Sequence, residues 1–215
     1  MKKRVIFTLM FFVVILLLNA ESTESNESDA PTMNAKDYNN RGVEHYNKGD
    51  YDSAIDDYNQ AIKIAPKYAD AYYNRALSYY NKEDYDSAIT DYNQAIGLSP
   101  KFADAYYNRA LAYYYKIDYD SAIADYSEAI KLNPKYTNAY YNRGLAYYYK
   151  RDYDSAIADY SKAIKLNPSF ANAYYNRGLT YYQKGDYKKA KVDYKKVLKI
   201  DPNNTKVIDN LNNIK

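Results

Sequence analysis

An arginine and an aspartate return together at a fixed separation along this chain: Arg41 with Asp57, Arg75 with Asp91, Arg109 with Asp125, Arg143 with Asp159 and Arg177 with Asp193. A guanidinium can give a carboxylate two parallel charge-assisted hydrogen bonds, and a partly buried guanidinium requires such a partner. The spacing predicts structural ion pairs between neighbouring helices; the alternative use of the same row is phosphate binding. An asparagine precedes every one of these arginines: Asn40, Asn74, Asn108, Asn142 and Asn176. An amide carries both donor and acceptor, so it can grip a peptide backbone without reading side chains, or bond within its own scaffold. Catalytic material is scarce. His45 is the only histidine, at a place where the other copies carry tyrosine, and it reads as a packing substitution rather than a base or a metal ligand. There is no cysteine, no glycine-rich phosphate loop, no Ser-His-Asp set and no metal-ligand spacing. The chain reads as a non-enzyme that needs no cofactor and no metal.

The elements that carry these residues follow from a period. Pro66, Pro100, Pro134, Pro168 and Pro202 are each 34 residues apart. A fixed period of that length marks stacked helix-turn-helix units. Counted from Ala35, the units are 35–68, 69–102, 103–136, 137–170 and 171–204. Residues 2–14 of a unit form a first helix, with a stripe such as Tyr106, Ala110 and Tyr113. Residues 15–16 break it, and Gly49 and Gly185 suit that turn. Asp50, Asp84, Asp118, Asp152 and Asp186 stand at the N-cap of a second helix. That helix buries a stripe such as Tyr119, Ala122, Ile123, Tyr126, Ala129 and Ile130, and the proline stops it. Small residues recur at the eighth, twentieth and twenty-seventh places, where helices must approach closely. Residues 205–215 fit a capping helix with Val207, Ile208, Leu211 and Ile214 on one face.

With these positions in place, the chain resembles the tetratricopeptide repeat (TPR) family. The resemblance covers all five units: aromatic fourth, small eighth, aromatic eleventh, small twentieth, aromatic twenty-fourth, small twenty-seventh and proline thirty-second. The departures are His45 at an eleventh place and Val197 at a twenty-seventh. Arginine also replaces the usual leucine at the seventh place. The resemblance implies an all-α solenoid, a right-handed superhelix of antiparallel helix pairs whose first helices line a concave groove. It further implies that Asn40, Asn74, Asn108, Asn142 and Asn176 could act as a peptide-gripping ladder. Around the ladder lie Tyr73, Tyr107, Tyr141 and Tyr175 at the fifth place, and Leu77, Leu111, Leu145 and Leu179 at the ninth. Tyr80, Tyr114, Tyr148 and Tyr182 occupy the twelfth. Tyrosine offers rigid amphipathic contact area at low entropic cost. The lysines and arginine with which some family members clamp an acidic C-terminal tail are missing, so that activity is not expected.

The N-terminus has its own signature. Lys2, Lys3 and Arg4 precede an apolar run from Val5 to Leu18, then Asn19 and Ala20. A basic start, a short apolar core and a small residue read as a signal peptide, 1–20; an uncleaved anchor is the alternative. Residues 21–34, rich in serine and glutamate, read as an acidic linker. Beyond residue 20 the chain holds 27 basic and 27 acidic residues, so no global pull on nucleic acid or anionic lipid is expected. The charge is uneven: the fifth unit holds 8 basic residues against 3 acidic. The leading expectation is an exported scaffold, in periplasm, envelope or medium, that binds an extended peptide or partner protein. The alternatives are a structural or self-associating envelope component and, with balanced charge against it, a single-stranded nucleic-acid binder. The expected form is a monomer that touches membrane only through residues 1–20, if these are retained.

Overall fold

A computed structural model of the chain describes residues 33–214. The signal peptide or anchor expected at 1–20 lies outside the described residues, as do most of the 21–34 linker and Lys215. The described residues form eleven α-helices and no strand. They are α1 Ala35–Asn47, α2 Tyr51–Ile64, α3 Ala69–Asn81, α4 Tyr85–Leu98, α5 Ala103–Tyr115, α6 Tyr119–Leu132, α7 Thr137–Tyr149, α8 Tyr153–Leu166, α9 Ala171–Gln183, α10 Tyr187–Ile200 and α11 Thr205–Asn213. Each odd-numbered helix from α1 to α9 opens a repeat and packs on the even-numbered helix that follows; that helix packs in turn on the next repeat. The stack is an all-α solenoid of antiparallel helix pairs. Successive first helices also touch one another directly. First helices start one residue earlier than the sequence suggests.

The turns and caps are set locally. Asp50, Asp84, Asp118, Asp152 and Asp186 each accept a hydrogen bond from the backbone N–H three residues on, at 3.1–3.2 Å. This satisfies one of the orphan donors at the start of each second helix. The residue before each of these caps is left-handed in all five repeats. Gly49 and Gly185 fill it at φ 79°, but Glu83, Ile117 and Arg151 hold φ 62–63° in the middle three. The turn is thus imposed by the packing of the two helices, since a β-branched residue there is strained.

The core is built of alanine and tyrosine. Tyr58, Tyr92, Tyr126, Tyr160 and Tyr194 are fully buried, packed among alanines such as Ala88, Ala95, Ala122 and Ala129. At the eighth place the approach is tight: a Cβ on Gly144 would lie 2.9 Å from the Tyr160 ring. The tenth place, which the sequence reading did not single out, is also buried, as Ser78, Ala112, Ala146 and Thr180. Its hydroxyls stay satisfied by bonding back to the preceding turn, Ser78 to the Asn74 carbonyl and Thr180 to that of Asn176. Val207 and Ile214 of the C-terminal segment cover Ala190, Tyr194 and Val197. Ile208, expected on that face, is 39 % exposed. It sits one residue off the 207, 211, 214 spacing and so rotates outward.

Candidate functional site

Each arginine of the row meets its aspartate. Arg109 donates from Nε to Asp125 Oδ2 at 2.6 Å and from a terminal nitrogen to Oδ1 at 2.7 Å. The same two-point bond joins Arg41 to Asp57, Arg75 to Asp91, Arg143 to Asp159 and Arg177 to Asp193. From the second repeat on, the remaining terminal nitrogen reaches back to the preceding second helix, to Asn59, Asn93, Ser127 or Ser161. The guanidinium also lies over the tyrosine three residues earlier, 5.4 Å from the Tyr106 centroid for Arg109. From the second repeat on, each arginine thus ties two helices of its own repeat to a third, with three of its five N–H donors engaged and both oxygens of the aspartate turned to it. Burial pushes the carboxyls of Asp125 and Asp159 up despite their arginine partners. Burial alone would lower the guanidinium pKa values, but the aspartates hold them above their ordinary value. Such a row is structural rather than a phosphate site.

The asparagine ladder is engaged differently. Asn108 Nδ2 donates to the Tyr73 hydroxyl at 2.9 Å, Asn142 to Tyr107 and Asn176 to Tyr141 at 2.8 Å. Asn74 donates to Asn39 Oδ1 at 3.0 Å, because the first repeat has asparagine at its fifth place. Each bond joins the first helices of consecutive repeats. The amides are half-buried, and Asn40 at the head of the row is exposed. The bonds use one amide hydrogen apiece. Among the described residues each of Asn108, Asn142 and Asn176 keeps a second N–H and its carbonyl oxygen, and each tyrosine keeps the hydrogen of its hydroxyl. Donor and acceptor therefore sit side by side at three successive repeats, the third to the fifth.

The tyrosines of the row are fixed from behind. Tyr73 packs on Phe102 at 4.6 Å between centroids, Tyr107 on Tyr136 at 4.7 Å and Tyr141 on Phe170 at 4.8 Å. Tyr175 instead contacts Tyr194. Desolvation pushes the Tyr73 hydroxyl up to about 12, with the nearby Asp104 carboxylate adding and the Asn108 bond opposing. Tyr107 and Tyr141 are raised for the same first reason. These phenols stay protonated and able to donate. The Tyr136 hydroxyl donates to Asp104 at 2.8 Å. Leu77, Leu111 and Leu179 pack partly into the core, and Leu145 is half-buried, so the ninth place is as much core as surface.

At the twelfth place, Tyr80 and Tyr114 belong to clusters that sequence reasoning only half named. Tyr80 meets Tyr85 and Tyr115, and the latter two stack at 5.7 Å with 9° between planes. Tyr114, Tyr119 and Tyr149 repeat the arrangement. Tyr148 meets Tyr149 and Tyr153, and Tyr182 meets Tyr187. Tyr85 and Tyr153 were missed, and Tyr119, expected in the buried stripe of its helix, is only half-buried; all three recur every 34 residues and could have been found by that recurrence. Tyr115 and Tyr149 are both 55 % exposed. At the C-terminal end of the row a pocket of about 150 Å³ is lined by Leu179, Tyr182, Gln183, Tyr194, Asn210 and Asn213.

His45 lies 3.5 Å from Asp50 and 3.8 Å from Asp57. Among the described residues no three metal-ligating side chains converge. None of their helices is long and apolar enough to cross a membrane.

Comparison with known proteins places these features. The tetratricopeptide repeat profile matches residues 171–204, and a TPR repeat profile matches 42–83, 78–116, 118–150 and 147–185. No curated protein sequence matches the chain. Among solved structures, a MamA protein is 31 % identical, with a TM-score of 0.74 over 80 % of this chain and 94 % of its own. MamA from Desulfovibrio magneticus RS-1 is 22 % identical with a TM-score of 0.75, over 79 % of this chain and 96 % of its own. YrrB, titled a TPR protein with an unusual peptide-binding site, is 23 % identical with a TM-score of 0.72, over 89 % and 96 %.

Proposed function

The chain belongs to the tetratricopeptide repeat family, and on that premise we propose that it is an exported, non-catalytic scaffold that holds an extended peptide segment of a partner protein. TPR proteins mediate protein–protein interaction, and the fold is ordinarily non-catalytic. The observation that carries the finer reading is the tyrosine–asparagine ladder on the first helices. Successive first helices touch directly, as expected for the inner face of a curved stack. On that face Asn108, Asn142 and Asn176 each offer an amide oxygen next to the phenol hydrogen of Tyr73, Tyr107 or Tyr141, the pair an extended backbone needs. The rows of Tyr80, Tyr114 and Tyr148 and of Leu77, Leu111, Leu145 and Leu179 supply apolar contact beside it. YrrB shares the fold only, and the peptide-binding proposal rests on these residues. Export rests on the basic-then-apolar run at residues 1–20; mass determination of the mature N-terminus distinguishes cleavage after Ala20 from a retained anchor.

The test is display of a random peptide library on the purified chain. Peptides selected by the wild type should lose most of their binding to an Asn108→Ala, Asn142→Ala, Asn176→Ala variant that retains its helical circular dichroism. Selection that yields no binder, or binders indifferent to the triple variant, refutes the reading.

A further inference from the structure

The last second helix breaks the charge rule of the others. In α2, α4, α6 and α8 the second residue is Asp52, Asp86, Asp120 or Asp154. Each accepts a hydrogen bond from the lysine that follows the next first helix, Lys82, Lys116, Lys150 or Lys184. After α10 comes α11, and Lys188 stands at that place. Five more lysines share the helix: Lys189, Lys191, Lys195, Lys196 and Lys199. α4 has none.

Lys188, Val192, Lys195 and Lys199 fall at i, i+4, i+7 and i+11, one stripe of a helix. All four are exposed, Val192 by 57 %. Tyr187 and Ile200 flank them, 47 % and 42 % exposed, while Ala190, Asp193, Tyr194 and Val197 face the core. The acidic groups nearby are committed elsewhere: Asp193 to Arg177, Asp186 to Lys189 at 2.8 Å, and Asp201 to Asn204. Lys188, Lys195, Lys196 and Lys199 have no ion pair among the described residues. An exposed helix face of a solenoid needs polar residues, but either sign of charge serves that need.

We propose that this face of α10 docks on an anionic phospholipid surface, its lysines against the headgroup phosphates on either side of Val192. The charge complementarity would also suit nucleic acid, but the face has no arginine for bidentate or stacked recognition and only one aromatic ring. Val192, exposed between the lysines, contributes nothing against a hydrated polynucleotide backbone. The surface lies on a second helix, apart from the first-helix ladder, and stands whether or not that ladder binds peptide.

The absence of cysteine makes Val192→Cys a single attachment point for an environment-sensitive fluorophore on the full chain. Its emission should rise on phosphatidylcholine vesicles containing phosphatidylglycerol and stay unchanged on phosphatidylcholine alone. Each lysine near such a surface raises partitioning roughly fivefold, so Lys188→Glu, Lys195→Glu and Lys199→Glu together should weaken the response more than ~100-fold. High salt should abolish it in the unreversed protein, which repeats the test without altering the fold. A silent probe on anionic vesicles overturns the proposal, as does a response that survives charge reversal. An equal response on neutral vesicles, or a larger one with single-stranded oligonucleotide at the same salt, also overturns it.

Discussion

The ion pair at the centre of the stack gives a quantitative prediction. Asp125 and Arg109 have side chains only 9 % and 17 % exposed and share two hydrogen bonds of 2.6 and 2.7 Å. Asp125→Ala leaves the guanidinium held in place by Asn93 and Tyr106 without its counter-charge. Breaking one partner of a buried pair costs about 3–5 kcal/mol. Arg109→Leu leaves a buried carboxylate instead. Burial already raises its pKa and the arginine opposes that rise, so removal of the arginine lets it climb further. A group with a raised folded pKa favours its protonated form in the folded state. The Arg109→Leu defect should therefore be largest at neutral pH and shrink as pH falls through the raised value. The double variant removes both charges and should cost about 1 kcal/mol, so with each single loss at about 3 kcal/mol or more the coupling is at least about 5 kcal/mol. Repeat arrays can unfold locally, so native-state hydrogen exchange in α5 and α6 is the suitable assay, with urea unfolding beside it. Single-variant losses that add to within about 0.5 kcal/mol in the double would refute the buried-pair argument.

Ile117 is β-branched, left-handed at φ 63° and 71 % exposed, so Ile117→Gly should stabilise the chain by about 1 kcal/mol in thermal unfolding; destabilisation would mean the side chain is held by contacts that offset its strain. The Tyr126 hydroxyl is buried with no hydrogen-bond partner among the described residues, so Tyr126→Phe should be neutral or stabilising by up to about 1–2 kcal/mol in the same assay. Alkali should unfold the stack. Desolvation raises Tyr73 to about 12, so its contribution is full below pH 10 and lost as pH rises from there toward 12. Tyr92, Tyr126 and Tyr160 are raised further by burial. Each steepens the loss by about 1.4 kcal/mol per pH unit. Phenolate absorbance and helical dichroism should change together; ionisation of these phenols in a folded chain would contradict the burial.

Much of this was legible in the sequence because each repeat states its own rule five times. The period fixed the helix pairs, Asp at the sixteenth place announced the caps, and Arg41 with Asp57 and its copies announced the ion pairs. The bond from Asn108 to Tyr73 was not legible, because it joins residues 35 apart in different repeats and depends on how the helices stack. The left-handed turn hid wherever its residue was not glycine: nothing about Glu83, Ile117 or Arg151 as residue types signals that backbone. The buried tenth place escaped because its occupants, from Ser78 to Thr180, differ in polarity and satisfy themselves locally.

The claim that the ladder receives a peptide backbone is tested most directly by nuclear magnetic resonance of the asparagine side chains. On addition of a library-selected peptide, the side-chain amide signals of Asn108, Asn142 and Asn176 should shift together, while the Nε signals of Arg109, Arg143 and Arg177 stay in place. Amide signals that do not move while the peptide binds elsewhere on the chain would contradict the account.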